Sequence, residues 1–343
     1  MAPKPPALGS APGNPGRSSV GRALLAADRR PRLGVGTLLC DVTRTLEIKV
    51  AVSAADIESG AATVSRPASA AARAVRFARR QPTFVAGLAV LALMVVAAVA
   101  APLWWTRDPM QMRPAQRLRP PSEERWFGSD HFGRDVYSRT IYGTRISLSV
   151  GAAVSVVSLT LGTGLGLVIG FYRRLDTVVM RAMDGLMAIP AILLALALMA
   201  LLRGSVRNVI IALVIPEIPR VTRLVRASVL SLREHTMVEA ARALGVGTPR
   251  ILLRYILPGL VAPLIVQATY IGASAILFEA YLSFLGAGTP PHIPSWGNIM
   301  AEGKTYVQLA FWIILFPGLF LALTVLAINL VGDGLRDLLD VRS

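Results

Sequence analysis

At 343 residues, with 54% hydrophobic side chains and a net charge of +16, the chain is too apolar for an ordinary soluble domain; its mean hydropathy is +0.56. In a soluble protein that charge would suggest nucleic acid. Here the arginines flank apolar blocks, the positive-inside pattern, and without an aromatic-interleaved basic motif the partner expected is membrane lipid, not nucleic acid.

Residues 1–75 are rich in Pro, Ala, Gly, Ser and Arg with little periodicity, which predicts a flexible basic tail. Its Leu33–Leu39 patch is too short for a signal peptide, and it carries the only cysteine, Cys40, so neither a disulfide framework nor a cysteine metal site can form within one chain. His131, His235 and His292 are far apart and do not suggest a metal site. Arg76, Arg79 and Arg80 then precede the first of six predicted transmembrane helices, over about 84–106, 146–172, 185–202, 208–228, 259–285 and 308–331. About 20 apolar residues cross a bilayer core as a helix. Trp104 and Trp105 suit the outer interface of the first.

The long loop Arg107–Arg145 carries eight Arg against five acids, yet is placed outside, because long loops follow the charge rule less well. In span two, Gly162, Gly166 and Gly170 recur every four residues on one face, where another helix can approach closely. Gly162-Thr163-Gly164 lies in an apolar helix with no preceding strand and is not read as a nucleotide loop. Arg173–Asp184 reads as an inner loop, Pro190 as a kink in span three, and Arg203–Arg207 as a tight outer turn. Pro216, Glu217 and Pro219 interrupt span four, predicting a broken helix or one partly outside the bilayer.

Residues 229–257 form the large inner loop; from Arg220 to Arg254 there are seven Arg against Glu234 and Glu239. Within it, His235–Leu244 predicts a short helix ended by Gly245 in the left-handed region, and Thr248-Pro249 an N-cap with a helix-start proline. Ala240 and Ala241 offer small side chains to a partner surface and Glu239 polar anchoring; an interfacial amphipathic hairpin without a partner remains the alternative. In span five Glu279 is an intramembrane carboxylate, either lining a path or paired with an arginine, and Gln267, Thr269 and Asn329 are lesser path candidates. Gly297 and Gly303-Lys304-Thr305 mimic a P-loop, but five residues separate the glycines where four are required, and no strand precedes them.

The segment with Glu239-Ala240-Ala241, Gly245 and Leu257-Pro258 resembles the signature coupling loop of permease subunits in bacterial ABC importers. The resemblance extends over Arg79–Arg342: Gly128-Ser129-Asp130, Gly133-Arg134-Asp135, Ser138-Arg139, Ile146-Ser147-Leu148, Met183-Asp184, Ile189-Pro190, Leu282–Gly286, Pro294–Gly297, Phe316-Pro317-Gly318 and Gly332–Asp337 resemble the second permease of dipeptide, oligopeptide and nickel importers. Tyr255 and Gly259 depart from the residues many relatives carry there. The resemblance implies an all-α integral membrane permease of six spans, in a bacterial inner membrane with both termini cytoplasmic. It implies a second homologous permease subunit, two ABC ATPase subunits that hold the ATP and Mg, and an extracytoplasmic substrate-binding protein, with no cofactor and no catalysis in this chain. Transport would run by alternating access, with a di- or oligopeptide as substrate. An ion-coupled secondary transporter is the competing reading; it would call for paired intramembrane charges and an inverted repeat.

Overall fold

The computed structural model describes residues 81–103 and 106–340, all within the unit Ala71–Ser343. The expected tail 1–75, the flanking Arg76, Arg79 and Arg80, and the Trp104–Trp105 pair lie outside the described residues. The regular elements among the described residues are helical; the loop after the first helix adds two isolated β-bridges.

Helix α1 is Pro82–Ala100, opened by a proline whose missing N–H costs nothing in a first turn. Helix α2, Val136–Phe171, starts well before the expected 146 because Asp135 caps it: the carboxylate accepts from Ser138 N at 2.9 Å and from Ser138 Oγ at 2.6 Å. The expected inner loop Arg173–Asp184 is instead an amphipathic helix, α3, Arg173–Met187. After the break at Pro190 comes α4, Ala191–Leu201, bent from α3 by 86°. Proline cannot continue the ladder, and it disfavours helical backbone at Ile189.

Helix α5, Val206–Leu232, runs unbroken through Pro216 and Pro219, against the expected interruption. The two prolines sit within one turn, so their lost hydrogen bonds fall in one place, while packing holds the helix on either side. Then follow α6, Thr236–Ala243; α7, Thr248–Phe284; α8, Trp296–Gly303; and α9, Trp312–Asp340. α7 begins far ahead of the expected 259 and includes a π-helical stretch, Leu252–Ile256, in which Leu257 N–H reaches Leu252 O. Pro258 has no N–H for Arg254 O, and the wider turn precedes it.

Among the described residues, α1, α2, α7 and α9 are each long and apolar enough to cross a membrane, and the bent pair α3–α4 makes a fifth crossing if taken as one. α5 is long enough but carries Glu217, Arg220, Arg223 and Arg226.

The core is built on α2. A Cβ at Gly162, Gly166 or Gly170 would stand 2.5, 2.6 or 2.7 Å from the Cβ of Val221, Val225 or Val229, so the glycine face of α2 takes the valine ridge of α5 at backbone contact. α7 lies on another face of α2, where Ser155 Oγ donates to Ala268 O at 2.8 Å. α9 packs on α7 and α1, with Gly334 beneath Phe84 and Gly332 beneath Thr269. One end of the bundle gathers the loop 106–135, the α4–α5 turn and the segment 285–311; Gly204 lies against Gly288 there. α6 lies at the other end, where Gln81 donates to Asp337 at 3.3 Å.

Candidate functional site

At the α6 end, 3.6-residue periodicity decides which side chains remain available. Val238 and Ala241, three apart, face the bundle and join its core, Ala241 being only 3% exposed. The expectation that Ala240 and Ala241 both face a partner is therefore corrected: Ala240 is exposed and Ala241 is not. Glu239 in the first turn and Arg242 in the last suit the helix dipole, and Arg242 lies over the Phe171 ring at 4.9 Å. Gly245, at φ +74°, ends the helix: its N–H reaches Arg242 O at 2.9 Å and that of Val246 reaches Ala241 O at 3.0 Å. Gly247, not Thr248, occupies the cap position of the next helix. Leu257 and Pro258 lie within α7, Leu257 packed against the core and Pro258 exposed. Sequence reasoning passed over the apolar face this builds: Met237, Leu253 and above all Leu244, 82% exposed, point away from the bundle.

Glu279 is fully buried, and no arginine among the described residues pairs with it. Its carboxylate accepts from Ser283 Oγ at 2.8 Å and Ser147 Oγ at 3.5 Å. Ser283 contacts Thr289 and Thr289 contacts Ser295, at 3.4 and 3.2 Å. Asn298 Nδ2 then donates to Thr289 Oγ1 at 2.8 Å and to the carbonyls of Thr289, Pro290 and Ile293. This network ties the segment after α7 onto α7 and α2, and Trp296 Nε1, donating to Thr140 O at 3.1 Å, completes the attachment. The other path candidates are elsewhere. Gln267 borders a cavity between α5, α7 and α9, Thr269 is half-buried against Gly332, and Asn329 is exposed on α9.

At the opposite end the Gly128–Arg139 motif residues form a buried charge cluster. Arg134 Nε donates to Asp130 at 2.6 Å, Arg139 Nη1 to Asp130 at 2.8 Å, and both arginines to Glu302 of α8. Burial alone would raise the Asp130 pKa, but the Arg134 and Arg139 charges and the Arg134 hydrogen bonds outweigh it and hold the carboxyl below its ordinary range. His131, which the sequence left isolated, has a ligand atom within 4.8 Å of those of Asp130 and Glu302. Both carboxylates are already engaged by guanidinium groups, so the donor set belongs to an ion-pair clasp. Burial lowers the His131 pKa. Trp312 Nε1 closes the clasp on Ser129 O at 3.2 Å.

The sequence also gave no role to an ion pair inside α5: Arg220 Nη1 donates to both carboxylate oxygens of the buried Glu217, at 2.8 and 2.9 Å. The i, i+3 spacing was the available signal, obscured by the two prolines that suggested a break.

Residues 158–343 match the family of binding-protein-dependent transport system inner membrane components, and residues 69–121 match the N-terminal transmembrane domain of oligopeptide transport permease C. A protein of Brucella suis biovar 1 named as a peptide transport system permease is 50% identical over 263 residues, 77% of this chain and 89% of that one. A dipeptide transport system permease of Alkalihalophilus pseudofirmus is 43% identical over 257 residues, 75% of this chain and 84% of its own. A solved inward-facing form of the methionine ABC transporter MetNI aligns at a TM-score of 0.49 with 20% identity, over 58% of this chain and 95% of that chain.

The chain belongs to the family of binding-protein-dependent transport permeases. It is a multi-pass inner-membrane component of an ABC importer, and the permeases of this family work with ATPase and substrate-binding partners.

Proposed function

We infer that this permease carries di- or oligopeptides, crosses the membrane six times with both termini in the cytoplasm, and moves by alternating access. The two relatives named for peptide and dipeptide transport support the substrate class. Six crossings follow if α3–α4 is one broken span and α5 another, its charged face turned toward protein or water. The drive comes from two ABC ATPase subunits, which hold ATP and Mg, and a second, homologous permease completes the conduit. An extracytoplasmic binding protein delivers the peptide to the clasp end.

The observation that carries this reading is the outward face of α6 and its turn, with Leu244, Met237, Ala240 and Glu239 exposed on a helix whose other side is fixed in the core. A partner can move this segment and thereby move the bundle. A ligand or partner shifts a two-state element only by its differential affinity for the two states, so the ATPase pair must grip this face differently when open and closed. The test is purification of the chain with its co-purifying proteins, followed by ATP-dependent uptake of a labelled dipeptide into proteoliposomes. An associated ATPase and uptake are expected, with uptake abolished in a Glu239→Ala/Gly245→Pro double variant. A chain that purifies alone and shows no nucleotide-dependent transport overturns the reading.

A further inference from the structure

Where α5 meets α7 it carries chemistry that hydrocarbon does not accept. Arg220 lies midway along α5 and its side chain is 39% exposed; Glu217, its partner, is buried. The Arg220 guanidinium sits 5.7 Å from the ring centroid of Tyr270 on α7, and Tyr270 is 51% exposed. Both contacts leave Arg220 Nη2 and Nε without an acceptor among the described residues. α5 and α7 run in opposite directions, so the residues next along this seam toward the α6 end are Leu224 on one helix and Gln267 on the other. These border a cavity of about 290 Å³, shared with Pro263 and with Arg336 of α9. Gln267 Nε2 is buried there with no hydrogen-bond partner among the described residues. By contrast, the groove between α2 and α5 lined by Val157, Leu161, Ile210, Val214 and Ile218 is almost wholly apolar, as a lipid-facing surface should be.

An exposed guanidinium at mid-span is unfavourable against lipid and acceptable against water or a polar solute. Guanidinium N–H donors pair geometrically with carboxylate oxygens. We propose that the α5–α7 seam is this chain's wall of the solute path, and that Arg220, oriented by Glu217 and Tyr270, binds the carboxylate of the passing peptide. Gln267 and the cavity beside it form the next stage toward the α6 end. The peptide part of this proposal rests on the function inferred above; the water-lined seam does not.

The single native cysteine, Cys40, makes a direct test practical. In a Cys40→Ser background, Tyr270→Cys, Gln267→Cys and Val157→Cys are introduced one at a time, and the complex with its partners is reconstituted. Each is treated with a charged, membrane-impermeant thiol reagent. Tyr270→Cys is expected to react at least tenfold faster than Val157→Cys, and Gln267→Cys to change rate when ATP is added. Labelling of Tyr270→Cys no faster than Val157→Cys overturns the seam as a path. Uptake of a labelled dipeptide with a free C-terminal carboxylate is then compared in wild type, Arg220→Lys and Arg220→Gln. A loss of tenfold or more in Arg220→Gln, with substantial recovery in Arg220→Lys, is expected. Because Arg220→Gln strands the buried Glu217, the pair variant Glu217→Gln/Arg220→Gln is measured beside it and should show the same loss with normal assembly. Wild-type uptake in the pair variant overturns the role of Arg220. Rapid labelling of Tyr270→Cys in a complex that takes up no dipeptide overturns the peptide reading and leaves the seam standing.

Discussion

At the residue scale the clearest contrast is between glycines on one helix. Gly166 of α2 lies under Val225 at a distance that admits no Cβ, whereas a Cβ at Gly164 meets nothing within 4 Å. Gly166→Val should therefore overpack the α2–α5 contact, at a cost of about 1–3 kcal/mol or more, while Gly164→Ala should be neutral or slightly stabilising. Thermal unfolding of the purified chain in detergent separates them: a clear drop in Tm for the first and none for the second. Ala241 and Ala240 give a second pair. Ala241→Trp forces a large ring into the core and should lower stability, whereas Ala240→Trp projects outward and should leave Tm unchanged while disturbing a docked partner. Equal Tm losses in both would mean that α6 is not held as described. Gly245, at φ +74° with open space around it, tolerates size but not handedness; Gly245→Ala should cost about 1–2 kcal/mol from the left-handed backbone.

At the scale of elements, two polar devices fix the end of the bundle away from α6. The Glu279 network attaches the segment between α7 and α8, and the Asp130–Arg134–Arg139–Glu302 cluster fastens α8 to the loop before α2. Asp130 and Arg139 are fully buried, and losing the Asp130 charge leaves Arg134 and Arg139 to share Glu302, one positive charge uncompensated; Asp130→Asn should cost about 3–5 kcal/mol at neutral pH. The pH dependence follows from the direction of the Asp130 shift. Its folded pKa lies below the unfolded value of about 3.9, so its stabilisation is present above that value and is lost as pH falls through the lower folded one. Unfolding followed between pH 7 and pH 3 should show wild-type stability falling steeply below about pH 4, and the Asp130→Asn variant responding less. Parallel curves for the two would remove Asp130 as the source.

For the molecule as a whole, the inferred topology puts α6 and the clasp on opposite sides of the membrane. In the cysteine-free background, with the chain expressed without its partners, Leu244→Cys should react with an impermeant reagent only from the cytoplasmic side and Phe132→Cys only from the other; both residues are exposed on the chain itself, so silence would reflect sidedness. Labelling of both from one side would overturn the six-crossing arrangement.

The sequence by itself determined the class. Long apolar runs cannot be left in water, so helices crossing a membrane were legible, as were the left-handed Gly245, the break at Pro190 and the permease motifs, because each depends on local chain chemistry. The early start of α2 was also written locally, in Asp135 and Ser138, but a search for apolar runs passes over a polar first turn. Other features were decided only in three dimensions. Whether Ala241 faces inward depends on what α6 packs against, and whether Glu279 meets an arginine or serines depends on which helix lies opposite. His131, Asp130 and Glu302 come together only because α8 folds back over the loop 106–135. Pro216 and Pro219 looked like a break because proline removes hydrogen bonds, yet α5 continues, since its valine ridge seated on the glycines of α2 offers more than those bonds withhold. Interactions within a few residues can be read along the chain; those that depend on a distant helix exist only once the bundle has formed.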